Sequence, residues 1–151
     1  MKRRNLYIGC GVAAIVIAIV VAFGSFSITP HYIEDDKANT AAAIDQFHSR
    51  LNEGDFEGIY RDAHPALQQS GSKQDLITAM QQTRERFGRV TAKTSSALNE
   101  IMGAPAQVRA VYTVTCEKGE ATEWFTFVMD GLVPRLAQYQ IFPGAVRPSS
   151  Q

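Results

Sequence analysis

Cysteine and tryptophan are scarce here: the 151 residues hold two cysteines and one tryptophan. A disulfide framework is excluded, because Cys10 lies in an uncharged apolar run and Cys116 in the polar remainder, and a bridge would have to join the two. Cys116 reads as a small buried hydrophobe, with no neighbouring feature that would lower a thiol pKa. The three histidines, His31, His48 and His64, lack metal-ligand spacing, so no metal is expected. Glycine-rich phosphate loops and a serine nucleophile motif are also missing, so no cofactor is expected and no catalytic residue is nominated. Excess positive charge is absent too. Setting aside Lys2, Arg3 and Arg4 leaves 12 of the 15 basic residues against 15 acidic ones, about −3. A nucleic-acid partner is therefore excluded.

Long apolar runs are limited to one. Leu6–Ile28 carries no charge and as a helix would reach roughly 34 Å, enough for a bilayer core of about 30 Å. The expectation is a single-pass signal anchor. Lys2, Arg3 and Arg4 would remain cytoplasmic, placing the rest of the chain in the periplasm of a bacterium, or outside the cell. Cleavage after Gly24 is the rival reading, since Ala22 and Gly24 are suitably small. The expected organisation is a cytoplasmic tail over 1–5, the anchor over 6–28, a linker over 29–35, one domain over 36–142 and a disordered tail over 143–151.

The domain reads as helices followed by strands. From Asp36 to Glu53, Ala43, Ile44, Phe47 and Leu51 recur at helical spacing. Gly54 is a stop signal and Asp55 a cap for a short helix carrying Phe56, Ile59, Tyr60 and Ala63, which His64-Pro65 ends. Ser72 with Asp75 resembles a capping box opening a third helix, with Leu76, Ile77, Met80, Thr83 and Phe87 on one side, and Gly88 closes it. Arg89–Met102 alternates weakly and suits an edge strand. In Gln107–Glu117, Val108, Ala110, Tyr112, Val114 and Cys116 alternate with polar residues, only Val111 breaking the pattern. Ala121–Asp130 and Leu132–Phe142 complete a meander through two turn signals, Glu117–Glu120 and Asp130-Gly131. The expected class is α+β: the transmembrane helix, then three helices packed on a curved antiparallel four-stranded sheet.

With Asp130-Gly131 as the hairpin loop, Phe127 pairs with Pro134 and Trp124 with Ala137. One face then gathers Phe125, Phe127, Met129, Leu132 and Leu136. The other gathers Trp124, Val128, Val133, Ala137, Tyr139 and Ile141. Two apolar faces require a second cover, either a homodimer or envelope-protein partner, or a sheet curled around its own helices. Trp124 is expected in the core, where its replacement by alanine would cost about 3–5 kcal/mol.

Asn52-Glu53-Gly54-Asp55-Phe56-Glu57-Gly58-Ile59-Tyr60 after a long helix, followed by a helix ending Phe87-Gly88 and a strand, resembles the nuclear-transport-factor-two-like family. That family includes ketosteroid isomerase and small bacterial envelope domains, and the similarity covers Asp36–Phe142. The resemblance implies a cone with an open end, placing Tyr60 and His64 near the mouth and Tyr112, Trp124 or Tyr139 on the sheet as ligand-binding candidates. It does not bring function with it. Asp62 and Tyr60 are the nearest pair to an isomerase's base and donor, but two residues apart on one helix they point different ways. The functional expectation is a membrane-anchored, non-enzymatic domain binding a protein partner or itself through its sheet. The alternative is a small-molecule or isomerase-like pocket, to be marked by a closed cavity containing Tyr60, Tyr112 and a buried carboxylate.

Overall fold

The computed structural model describes residues 31–101 and 103–145. Four helices precede four strands: α1 His31–Glu53, α2 Phe56–Asp62, α3 Pro65–Gln68, α4 Lys73–Phe87, β1 Val90–Ile101, β2 Gln107–Cys116, β3 Gly119–Asp130 and β4 Val133–Pro143. The second of the chain's two compact units, Ile33–Gln151, holds every strand.

The α1–α2 corner follows directly from its residues. Gly54 takes φ +80°, a left-handed conformation that ends α1 without a Cβ penalty. Asp55 then caps α2, its Oδ1 accepting the Gly58 N–H at 2.9 Å. Gly58 leaves room for that cap, since a Cβ there would lie 2.1 Å from an Asp55 carboxylate oxygen. Asn52 closes the corner onto the sheet: its amide oxygen accepts from Val90 N at 2.8 Å and its amide nitrogen donates to Val90 O at 2.9 Å. The end of α1 is thereby fastened to the start of β1. The Ser72–Asp75 capping box forms as expected.

Three helices were expected in the domain, and four are present among the described residues. Pro65 does not simply end a helix. It opens the single turn α3, with His64 as its N-cap accepting from Ala66 N at 3.1 Å, because proline is at home in a first turn. The first helix also begins earlier than Asp36, at His31.

A further correction concerns the membrane. The expected span Leu6–Ile28 lies outside the described residues, and among the described residues no helix is long and apolar enough to cross a bilayer. Helix α1 has 23 residues but carries Asp36, Lys37, Asp45, Arg50 and Glu53 along its length, charges that a hydrocarbon core rejects. Among the described residues the fold therefore includes no spanning helix.

The sheet is an antiparallel meander in the order β1-β2-β3-β4. The β2–β3 pairing keeps the expected alternation, with Val108, Ala110, Tyr112, Val114 and Cys116 buried toward the helices. The β3–β4 pairing does not follow the expected register. Asp130 pairs with Val133, so Gly131 and Leu132 form the loop and Phe127 meets Leu136. Ala137 is then an extra residue on β4, after which Thr126 pairs with Gln138 and Phe125 with Tyr139. A single inserted residue reverses the facing of everything beyond it. Tyr139 and Ile141 turn inward and pack against the core, so the second apolar face does not exist as expected. The core lies between α1, α2, α4 and the inner face, around Ile44, Phe47, Leu51, Met80, Phe87 and Phe125.

Candidate functional site

Across the outer face, away from the helices, the strand pairings set side chains in transverse rows. One row runs Ala97, Val111, Trp124, Gln140, and the next runs Asn99, Arg109, Thr126, Gln138. Trp124 stands on the interior strand β3 with half its surface (50%) open to solvent. This overturns its expected place in the core. Phe125, the next residue, takes the inward position that alternation allows only one of the two. Val111, the apparent break in the β2 pattern, is half-buried beside Trp124 on the outer face. The two rows border a groove of about 350 Å³. It continues through Arg109, Thr126, Gln138 and Gln140 into a cleft of about 520 Å³ that reaches His64 and Gln107. Neither lining contains a carboxylate.

On the inner face the alternation of β3 places a charge in the core. Glu123 is fully buried (0% exposed), and His48 on α1 nearly so (7%). His48 Nε2 meets Glu123 Oε2 at 2.6 Å, and the Tyr139 hydroxyl donates to Glu123 Oε1 at 2.8 Å. Each carboxylate oxygen thus has a partner, as a buried charge requires. Phe47, Phe125 and Tyr139 close around the cluster, with ring centroids 4.7–5.3 Å apart.

Burial, the Glu123 charge and the Glu123 hydrogen bond hold the Tyr139 phenol well above its usual pKa, with a smaller push from Cys116. Its folded pKa exceeds the unfolded one, so its contribution to stability is complete below about pH 10 and is lost as pH rises beyond that toward the folded value. Urea denaturation at pH 8 and above pH 10 is expected to show stability falling on the alkaline side. Tyr139→Phe should be less stable by about 1–3 kcal/mol at pH 8, since Glu123 Oε1 loses its donor, and should show a flatter alkaline limb. A parallel fall in both proteins would contradict the assignment. Burial likewise raises the Cys116 pKa, with Glu123 and Glu117 adding to it, which leaves an inert thiol.

The residues nominated from sequence are not gathered at one place. Tyr112 is sealed in the core (5% exposed) against Phe125, with the Lys93 ammonium 5.3 Å from its ring centroid. Tyr60 is half-buried on α2, and the ammonium over its ring belongs to Lys73. Tyr60 and Tyr112 thus pack apart, each beneath its own lysine ammonium. Tyr139 serves the Glu123 cluster and, with His64, also lines the cleft, while Trp124 borders the groove. Asp62 is bound to Arg50 at 2.6 Å and Arg61 at 3.0 Å. Burial would raise its pKa, but the two arginine hydrogen bonds outweigh that and lower it, which suits an ion-pair partner better than a base. Among the described residues no group of three or more His, Cys, Asp or Glu side chains could hold a metal.

Sequence reasoning missed the His48–Glu123–Tyr139 cluster. The signal was a glutamate in the apolar phase of a strand, Ala121, Glu123, Phe125, Phe127, Met129. No protein-family model matches the chain, and no curated protein does.

Proposed function

We propose that the protein is a non-enzymatic binding module that takes a macromolecular partner across the outer face of its sheet. One observation carries this reading. The sole tryptophan of the chain stands half-exposed on an interior strand, in a groove edged by hydrogen-bonding side chains. Tryptophan and arginine are the side chains most enriched where binding energy concentrates, and here Trp124 and Arg109 sit in adjacent rows. Two apolar faces no longer support self-association, because the Ala137 bulge leaves the outer face largely polar. Two copies laid face to face would also set Arg109 against a surface without carboxylates in these rows.

Photo-crosslinking of the full chain in cells tests this. A crosslinking side chain at Gln140 or Thr113, on the outer face, is expected to give adducts that disappear with Trp124→Ala. The same group at Glu57, on the helical side, is expected to give none. Adducts from Glu57 alone, or adducts indifferent to Trp124, would overturn the reading.

A further inference from the structure

We propose that the partner of the outer face is an acidic oligosaccharide, an inference that rests on the sheet-face reading above and names its ligand. Two adjacent rows supply the complementary halves of sugar recognition. A pyranose ring has an apolar face of C–H groups and a rim of hydroxyls. The half-exposed indole of Trp124, beside Val111 and Ala97, offers a flat apolar platform for the first. The row of Asn99, Arg109, Thr126 and Gln138 offers amides, a hydroxyl and a guanidinium for the second. The amides and the hydroxyl both donate and accept while the guanidinium only donates, a mixture that suits pairs of neighbouring hydroxyls. They are largely uncommitted: the single contact within the row is Thr126 Oγ1 to Gln138 Oε1 at 3.5 Å.

Charge narrows the class. Arg109 is exposed and has no ion-pair partner among the described residues, and neither the groove nor the cleft it enters contains a carboxylate. A lone guanidinium in such a place matches one carboxylate or sulfate, which it can hold through two parallel hydrogen bonds. Continuity of the groove with the cleft toward His64 gives room beyond one ring.

The competing occupants fit less well. An extended peptide gains most from main-chain bonds at a sheet edge. Here the groove crosses the face of all four strands, and β2 and β3 at its centre have backbones already paired on both sides. A nucleic acid needs several cations to offset its phosphates, and the two rows supply one.

The sole tryptophan makes the test direct. The full chain is titrated with a galacturonate hexamer, a neutral glucose hexamer and hexa-aspartate while Trp124 emission and its quenching by acrylamide are followed. The galacturonate hexamer is expected to shift emission to the blue and to shield the indole, with the neutral hexamer needing about tenfold higher concentration, the scale of one charge-assisted contact. Arg109→Gln should abolish that preference and retain weak binding to both sugars. Trp124→Ala, followed by calorimetry, should bind neither while keeping its circular dichroism. A response to hexa-aspartate and not to the sugars would overturn the proposal in favour of an acidic peptide, and shielding that grows with protein concentration alone would overturn it in favour of a second copy. Silence from all three probes while outer-face crosslinks persist would reject the sugar and leave the sheet-face reading standing. Silence together with absent crosslinks would reject both.

Discussion

His48→Ala is expected to destabilise the protein by about 3–5 kcal/mol, the cost of leaving a buried charge without its partner. Glu123 has no exposed surface, and its two oxygens rely on His48 and Tyr139 alone among the described contacts. The imidazole, packed against Phe47 and Phe125, is the partner of Oε2, and its removal leaves that oxygen without one. Domains of this size are stable by about 5–15 kcal/mol in total, so a large share of the stability is at stake. Urea denaturation is the measurement, and an unchanged midpoint would mean that the contact contributes nothing.

Two further variants separate the pair's net worth from the penalty of breaking it. Glu123→Gln keeps an acceptor for Tyr139 and offers an amide toward His48, so its cost is expected near 1–2 kcal/mol, a hydrogen-bond-sized effect. His48→Leu combined with Glu123→Leu removes both partners of the contact together. Paired apolar replacements of buried ions are often neutral or stabilising, so this double variant should be more stable than His48→Ala. Were it equally unstable, the loss would come from packing around the imidazole and not from the stranded charge.

What the sequence made legible was local. The alternation of Val108, Ala110, Tyr112, Val114 and Cys116 needs only a half-buried strand, and the observed burial follows it. Gly54, Asp55, Ser72 and Asp75 act within three or four residues, and their caps form as read. The losses came where a distant partner decides. An inserted residue such as Ala137 leaves no mark in composition, yet it turns Tyr139 and Ile141 inward and converts an expected apolar face into a polar groove. His48 and Glu123 lie 75 positions apart, and a histidine beside Phe47 looks like a boundary residue until the opposite strand is known. The outer groove was half visible: Trp124 and His64 were nominated, but Arg109, Asn99 and Gln138 join them only through the register of four strands. The span expected over Leu6–Ile28 rested on hydropathy alone, and no described helix repeats that pattern.

Phe125→Ala is expected to cost about 3–5 kcal/mol, whereas Trp124→Ala, one residue away, should cost less than about 1 kcal/mol, the usual scale of a change outside the core. Tryptophan is the larger side chain, so size alone predicts the opposite order. Facing decides it. Phe125 is 2% exposed and meets Phe47, His48, Tyr112, Phe127 and Tyr139 at ring-centroid separations of 5.2–6.4 Å. Its loss would open a cavity in the middle of this cluster, which strands on both sides of β3 prevent from collapsing. Trp124 leaves only Val111 and Gln140 as cross-strand neighbours, and half of its ring already meets water. Urea midpoints of the two variants therefore read the facing of β3 directly. Equal costs, or a larger one at Trp124, would place the indole in the core, and the groove on which the binding proposal stands would be lost with it.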